Sequence, residues 1–540
     1  MLALNWVLGI APVLNPLDWL YADPTLFVIA VFVCLGGGAP WLLQQLLQWG
    51  YGLNPLSMEQ LTQQHPGVAK LLKRQCWQRN WPWPQLGVLP TLAPLSFTYG
   101  WLPRTARIVV SQGLLEQLAD EELAAIFAYE LGHQIHWNVG VMSLIILVLQ
   151  IPYTLYWQAA RWGDRWQHPF LQGSLGIIAA AAYGVYWLWR WPVLWLSRLR
   201  VAYSDRQAIA ITGNPNALIR ALSQLAIGIA TDIQQQQQTS YLLEGFDLLM
   251  PLGHRQALTL GSLSTDTPTA CFIWDTQNLG RHWLTLNQPH PSLGDRLQRL
   301  INYAHQWQIC PEFQISTPVS SRGRLPFWNL RHPLWLQGAP YLGLLLGLSL
   351  GISLWLVGAI SYLTRFGLLD WLYGNQLVIQ GCLSIGVSLG ILVRMNSFFP
   401  DIKPGNLQTE PSLRELLSQP LALPVDSLAV KWQDGVLLGR PGTGNWLNQD
   451  LILQTQSGLV KLHWLSSLGV CGNLWLRPQR LGIGQSIQVT GWFRRGATPW
   501  VDVASWQRPN QPLERSGHPL WSTLLIAGTA LVGIYWIAIA

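Results

Sequence analysis

Charge is what this sequence is short of. Of its 540 residues only 11% are Asp, Glu, Lys or Arg, against roughly 25% in a soluble protein. Half of the chain is apolar, so something other than water must solvate much of its surface. Cysteine is sparse as well. The six (34, 76, 271, 310, 382 and 471) lie far apart with no CxxC pair, which excludes a disulfide framework or a cysteine zinc site and reads as free thiols. No basic patch stands out, because the net charge of +7 is spread along the chain. Nucleic acid is therefore not an expected partner. The first residues lack the basic start and small-residue cleavage site of a signal peptide, so the first apolar segment reads as a retained anchor.

What is there instead is tryptophan, 32 residues of it, a residue that concentrates at membrane interfaces. A spanning helix needs about 20 apolar residues. Six stretches qualify: 25–46, 139–160, 171–196, 338–362, 372–393 and 519–539. Each is free of Asp, Glu, Lys and Arg, except that Arg190 sits near one end of the third, where it is expected to snorkel to the interface. Basic residues set orientation. Lys70, Lys73, Arg74 and Arg79 follow the first span, Arg198, Arg200 and Arg206 the third, and Arg394 and Lys403 the fifth. The consistent solution has both termini outside and segments 47–138, 197–335 and 394–518 in the cytoplasm, with the short loops 161–170 and 363–371 outside.

The chemistry-bearing stretch lies in the first cytoplasmic segment. Residues 108–115 read as a short strand and turn. A helix follows, with Asp120, Glu121 and Glu122 in its first turn, where the helix dipole favours acids. It contains Tyr129-Glu130-Leu131-Gly132-His133. The motif HExxH places two histidines at i and i+4 on one helix face to bind zinc, with the glutamate as the base that activates a metal-bound water. Here Glu130 and the second histidine, His133, are present and tyrosine occupies the first position.

The stretch FTYGWLPRTARIVVSQGLLEQLADEELAAIFAYELGH resembles the HtpX and CAAX-prenyl-endopeptidase family of membrane zinc metallopeptidases. Two further segments match in order. Residues 197–205 (SRLRVAYSD) with 211–215 (ITGNP) resemble the family's SRxREyxAD…tGnP segment, and Pro289-His290-Pro291 with Asp295-Arg296-Leu297 resembles its HPp…eRi segment. The resemblance covers about residues 85–305. It implies a zincin-like α+β domain, a zinc cofactor and a role in membrane-protein quality control. It also implies a third ligand at the glutamate of RExxAD, where this chain has Val201. Valine cannot bind a metal and a neutral phenol is a weak ligand, whereas catalytic zinc normally keeps three protein ligands and a water.

His136 offers an alternative ligand beside His133, since 129, 133 and 136 fall within roughly 60° of one another on a helix. Its neighbours on the partner helix would then include Arg198, which opposes a cation. The more economical expectation has zinc absent or weakly held, Glu130 vestigial or active as a base, and the Tyr129 hydroxyl donating to Asp205 as a supporting pair. Val201, His290 and Arg296 complete the candidate cleft. Three readings stand: a pseudo-peptidase that binds membrane-protein or peptide clients, a zinc metalloendopeptidase with an unusual ligand set and Glu130 as general base, and a structural membrane component whose soluble barrel carries the function.

The domain organisation read from this pass is an anchor at 1–50, a metallopeptidase-like domain at 51–335 including a membrane hairpin at 139–196, a second hairpin at 336–395, a soluble region at 396–518 and a last span at 519–540. The fold class is mainly α, multi-spanning, with a small C-terminal β domain. Alternation in LAVKW, DLILQTQ, LVKLHWL, QSIQVTGWF and WVDVASW predicts that domain at 425–505 as an antiparallel barrel, OB- or SH3-like in size. Trp492, Phe493, Arg494, Arg495 and Trp500 suggest a basic-aromatic edge facing the membrane interface. Residues 217–228 read as a helix and Gln234–Gln238 as a solvated face or loop.

Overall fold

The computed structural model describes residues 25–135, 138–166, 168–263, 272, 275–276, 278, 285–313, 327–365, 367–418, 426–466, 482–496, 498–509 and 511–540, with the backbone alone at 26–36, 327–334, 337 and 396. The chain divides into two compact units, one formed by residues up to Ile151 with Tyr203–Thr212, the other by Pro152–Ala202 with Gly213–Ala540.

In the first unit, helix α1 (Thr25–Tyr51) leads to strand β1 (Asn54–Leu56), helices α2 (Met58–Gln64) and α3 (Pro66–Arg79), and strands β2 (Gln85–Leu89), β3 (Ser96–Tyr99) and β4 (Arg107–Ser111). The strands form one sheet in the order β1-β2-β4-β3, with β2 parallel and β3 antiparallel to β4. β4 is the predicted strand. The expected turn after it is instead a short helix, α4 (Gln112–Gln117), because the Ser111 hydroxyl accepts from Leu114 N at 3.0 Å and caps it. Helix α5 (Asp120–Ile135) follows. Its first acid does more than answer its own dipole: the Asp120 carboxylate accepts from Gly67 N at 2.8 Å and Val68 N at 3.3 Å, satisfying first-turn donors of α3. That ties α5 to α3.

The second unit takes over within helix α6 (Val139–Arg165) and continues with α7 (Pro169–Arg190), α8 (Leu194–Thr212) and α9 (Pro215–Gln236). The TGNP sequence explains the break between α8 and α9. Gly213 turns left-handed at φ +72°, the Asn214 side chain accepts from Asn216 N and Ala217 N, and Pro215 starts the next helix where its missing N–H costs nothing. Gln234–Gln237 are exposed at the end of α9, as expected of a solvated face. Short helices α10 (Tyr241–Gly245) and α11 (His254–Ser262) and the amphipathic α12 (Leu293–Gln306) follow.

Three long helices come next in sequence or close the chain: α13 (Phe327–Thr364), α14 (Gln376–Phe398) and, at the end, α16 (His518–Ile539); the short strand β5 (Gln408–Thr409) and helix α15 (Leu413–Leu417) follow α14. Gly343 and Gly386 face each other so closely that a Cβ on either would meet the other's carbonyl, the small-residue packing by which membrane helices associate. Ser388 Oγ donates to the Ile526 carbonyl at 2.8 Å, joining α14 to α16. Leu345, Leu346, Ile360, Leu363, Leu531 and Ile534 point outward and exposed, as lipid-facing side chains do. Among the described residues five helices are long and apolar enough to cross a membrane, in α6, α7 with α8, α13, α14 and α16. The protein is an integral membrane protein. The length of α1, 27 residues, suits a further span.

Between α14 and α16 the predicted barrel forms, from β6 (Leu428–Gly439), β7 (Leu451–Thr455), β8 (Gly458–His463), β9 (Ser486–Arg494) and β10 (Trp500–Gln507), with β11 (Glu514–Arg515) at an edge. β6, β7 and β8 form a meander, β8 pairs parallel with β10, and β9 closes the circle between β10 and β6. Five strands closed in this order make an OB-type barrel, with one parallel pair rather than the all-antiparallel arrangement expected. Trp432, Leu453, Val460, Val489, Phe493 and Val501 fill it. The predicted basic-aromatic edge is turned inward. Arg494 is fully buried, donates to Asp502 at 2.8 Å and lies 3.7 Å over the Phe398 ring, while Trp492 Nε1 donates to the Pro400 carbonyl at 2.9 Å. These residues join the barrel to the end of α14 rather than offering a free surface.

The hairpin of α6 and α7 departs most from expectation. Tyr153, Tyr156, Tyr183 and Tyr186 gather around Glu244 and Arg440. The carboxylate of Glu244 accepts from Tyr183 Oη at 2.7 Å and from Arg440 Nη1 at 2.6 Å, and Arg440 Nη1 also donates to Tyr156 Oη at 3.1 Å. Arg190 does not snorkel outward; it is buried in an ion pair with Asp247, which also takes His254 Nδ1 at 2.9 Å. At the tip, Thr443 N donates to Asp164 at 2.7 Å, and the Trp446 indole lies so close to Gly176 that a Cβ there would sit 2.6 Å from it. Loop 161–170 and the β6–β7 connection therefore lie together, whereas the sequence reading set them on opposite sides of the membrane. In the hairpin, Tyr153, Tyr156 and Tyr183 turn their hydroxyls to buried charges, and Tyr186 donates to the Glu244 backbone carbonyl.

Candidate functional site

The first unit builds the motif site. Tyr129, Glu130 and His133 are completely buried on α5. Glu130 Oε1 accepts from Ser96 Oγ at 2.7 Å and Oε2 from Thr98 Oγ1 at 2.8 Å. Alternate residues of a strand face one way, so Ser96 and Thr98 present both hydroxyls from β3 to the one carboxylate. Residues 203–212 pack against the other side of the motif. Gly132 makes this possible, since a Cβ there would stand 3.1 Å from Ser204 Cα and from Gln207 Cβ. Across this contact Ser204 Oγ and His133 Nδ1 lie 2.6 Å apart. The Tyr129 ring meets the His133 imidazole edge-on, centroids 4.8 Å apart at 84°.

Of the expected site residues, the structure thus brings Tyr129, Glu130 and His133 together, with Asp205 next to Ser204 in the same unit and 8% exposed. His136 lies outside the described residues. Val201 is fully buried on α8, one helical turn before Ser204 and Asp205, and belongs to the second unit.

His290 and Arg296 also lie in the second unit and serve its backbone. His290 Nε2 lies 2.8 Å from the Met250 carbonyl and Arg296 Nη1 donates to Pro251 O. Burial pushes the His290 imidazole down to about 4, against the pull of Asp247. Both residues brace the 248–253 turn.

Sequence reasoning missed Ser96, Thr98 and Ser204. Thr98 lies inside the stretch already singled out and Ser96 just before it, two hydroxyls at i and i+2 on one face of the observed strand.

A zinc ion of the HExxH kind needs three protein ligands. Among the described residues no three of His, Cys, Asp and Glu come together as such a set. The donors at the motif are one imidazole, oriented by a serine, and one carboxylate whose two oxygens each take a hydroxyl. Among the described residues that set falls short of the three protein ligands a catalytic zinc normally keeps.

Comparison with known proteins supplies the ancestry. The model of peptidase family M48 matches residues 63–304. Through that region the chain belongs to the HtpX-like members of family M48. The protease HtpX homologue of Methanothermobacter thermautotrophicus is 26% identical over 223 residues, covering 39% of this chain and 83% of the relative. That of Acaryochloris marina is 27% identical over 263 residues, covering 47% and 78%. The HtpX homologue 1 of Streptomyces coelicolor is 27% identical over 243 residues, covering 44% and 71%. No solved structure matches the chain. The M48 match ends before α13, so the three long C-terminal helices and the barrel lie outside it.

Proposed function

We propose that this HtpX-like chain is a pseudo-peptidase, which keeps the family's membrane-associated, zincin-like unit and binds membrane-protein or peptide clients as an adaptor. The observation that carries the reading is the engagement of Glu130. A zincin's glutamate must face a metal-bound water to act as base, whereas both Glu130 oxygens here accept from β3 hydroxyls. Tyr129 and Val201 at the first and third ligand positions support it. Zinc, where family members bind it, supplies a polarised water for peptide hydrolysis. The residues of this chain instead tie α5 to β3 and to residues 203–212.

The same reading places the soluble parts in the cytoplasm with both termini opposite. It takes α1, α13, α14 and α16 as the membrane spans, and leaves the α6–α7 hairpin on the barrel's side. Its domains are the anchor 1–50, the metallopeptidase-like region 51–335 and the membrane and barrel regions beyond.

The test is the zinc content and peptidase activity of the purified full chain. The expected result is substoichiometric zinc and no hydrolysis, with zinc recovered in the double variant Tyr129→His and Val201→Glu. Stoichiometric zinc in the unmodified chain, lost in His133→Ala, would overturn the reading. It would favour the second one, an active metalloendopeptidase, which the Ser204-oriented ring of His133 supports because metal-bound histidines are commonly held through their other nitrogen.

A further inference from the structure

A second constellation lies in the other unit, between the outer face of the barrel and α11. A cavity of about 270 Å³ is lined by Arg255, Lys461, His463, Gln288, Thr498 and Trp500 among others. Lys461 and His463 alternate on β8, so both leave the barrel on the same side as Val460 and Leu462 enter its core. Arg255 comes from α11 with its guanidinium 4.4 Å over the Trp187 ring, and its Nε is buried without a hydrogen-bond partner. Thr498 sits in the β9–β10 connection and receives Gln288 Nε2 at 2.6 Å.

The cavity holds more positive than negative charge. The carboxylate beside His463, Asp502, is committed: it takes Arg494 Nε at 2.8 Å and Trp500 Nε1 at 3.0 Å, and lies 3.4 Å from His463 Nδ1. Asp450 and Glu244 act on Lys461, and both are bonded to Arg440 or to Thr239. Burial, and then Arg255, push the Lys461 amine down to about 7. Cations whose neighbouring carboxylates are already bonded elsewhere, with Arg255 Nε left without a partner, mark a place for an anion.

The location narrows the choice. The His463 carbonyl lies 3.1 Å from Nε2 of His518, the first residue of α16, and Phe399 at the end of α14 stacks on the same His518 ring. The cavity therefore stands at the end of the barrel from which the membrane helices leave. Its volume is near the lower limit of small-molecule sites, roughly 300 Å³, and suits a small headgroup.

We propose that this cavity binds a phosphate group, carried by an anionic phospholipid at the bilayer surface, between Arg255, Lys461 and the Thr498 connection. The arrangement is independent of the motif helix and of any zinc chemistry there. OB-type barrels bind ligands on the strand 2–3 face and through the loop between strands 4 and 5, and β8 and the 495–499 connection are those elements here.

The experiment uses the full chain in nanodiscs of phosphatidylcholine, titrated with inorganic phosphate and followed by calorimetry. Saturable binding is expected, weakened about tenfold or more by Lys461→Met and by Arg255→Gln, the factor that one charge-assisted hydrogen bond is worth. Lys403→Met, which removes an exposed charge elsewhere, should leave it unchanged. Nanodiscs containing phosphatidic acid separate the sources. Competition against inorganic phosphate supports the lipid headgroup, while undiminished phosphate binding supports the site but overturns the lipid assignment in favour of free phosphate. No saturable binding in either disc, or equal binding by Lys461→Met with its melting curve intact, overturns the site itself.

Discussion

Replacing Glu244 by glutamine tests whether buried charge locks the barrel to the α6–α7 hairpin. Glu244 and Arg440 are almost fully buried, with side chains 6% and 1% exposed, and their contact is 2.6 Å. Removing one partner of a buried pair typically costs about 3–5 kcal/mol, because the other charge is left without compensation. Here the cost falls at the lower end, about 3 kcal/mol, since Asp450 Oδ2 stands 3.8 Å from Arg440 Nε and the Thr239 carbonyl accepts from that nitrogen at 2.9 Å. The loss should appear first where the pair acts. Amide hydrogens of residues 440–450 should exchange about a hundredfold faster, two decades at roughly 1.4 kcal/mol each, while those of the barrel core stay protected. Adding Arg440→Met to Glu244→Gln removes both charges and should restore much of the protection. Acid should act as the mutation does. Burial raises the Glu244 carboxyl, but Arg440, His254 and the Tyr183 hydroxyl lower it further, from an ordinary 4.5 to about 2. A depressed carboxyl contributes stability that is complete above about 4.5 and is lost as pH falls toward 2. Unchanged exchange in Glu244→Gln, or a double variant no better protected than the single one, would refute the lock.

Three further outcomes follow from the geometry. A single cysteine at exposed Trp166 should label from the same side of the membrane as one at exposed Asp434, and from the opposite side to one at exposed Arg365; labelling of 166 with 365 would restore the hairpin as a membrane crossing. Glu130→Gln gives one amide oxygen and one N–H to two hydroxyl donors, so it should destabilise the α5–β3 contact by about 1–3 kcal/mol, measured as a lowered melting temperature. Gly132→Ala places a methyl against Ser204 and Gln207 and should cost about 1–3 kcal/mol by overpacking, with little effect on exchange in the barrel.

The sequence made the repeating parts legible. The five barrel strands fall where apolar residues alternate, and the long helices where apolar runs exceed 20 residues. The motif helix was legible through Glu130 and His133, and its acidic first turn correctly predicted its start. What could not be read were contacts between distant segments. Tyr153, Tyr156, Tyr183 and Tyr186 count as apolar in a hydropathy scan, yet their i, i+3 spacing sets a polar stripe on each helix that Glu244, Arg440 and their neighbours meet. Arg190 looked like an end-of-span arginine because its partner, Asp247, lies 57 residues away. The turning-in of Arg494 was hidden for the same reason: Asp502 and Phe398 belong to other elements.

The strand order of the barrel also bears on the sequence of folding. β6 pairs with β9 and β8 with β10, so the circle cannot close until residues near 500 have been made. Pairings this far apart in sequence form slowly. α13 and α14, joined by a short connection, are complete well before that point, whereas α16 is held at the barrel's rim through His518 and the carbonyl of His463. Ring closure thus acts as a clasp: it carries the start of the last helix back to the end of α14. Assembly of the three-helix bundle in the bilayer becomes a step that waits on a β-structure folding outside it.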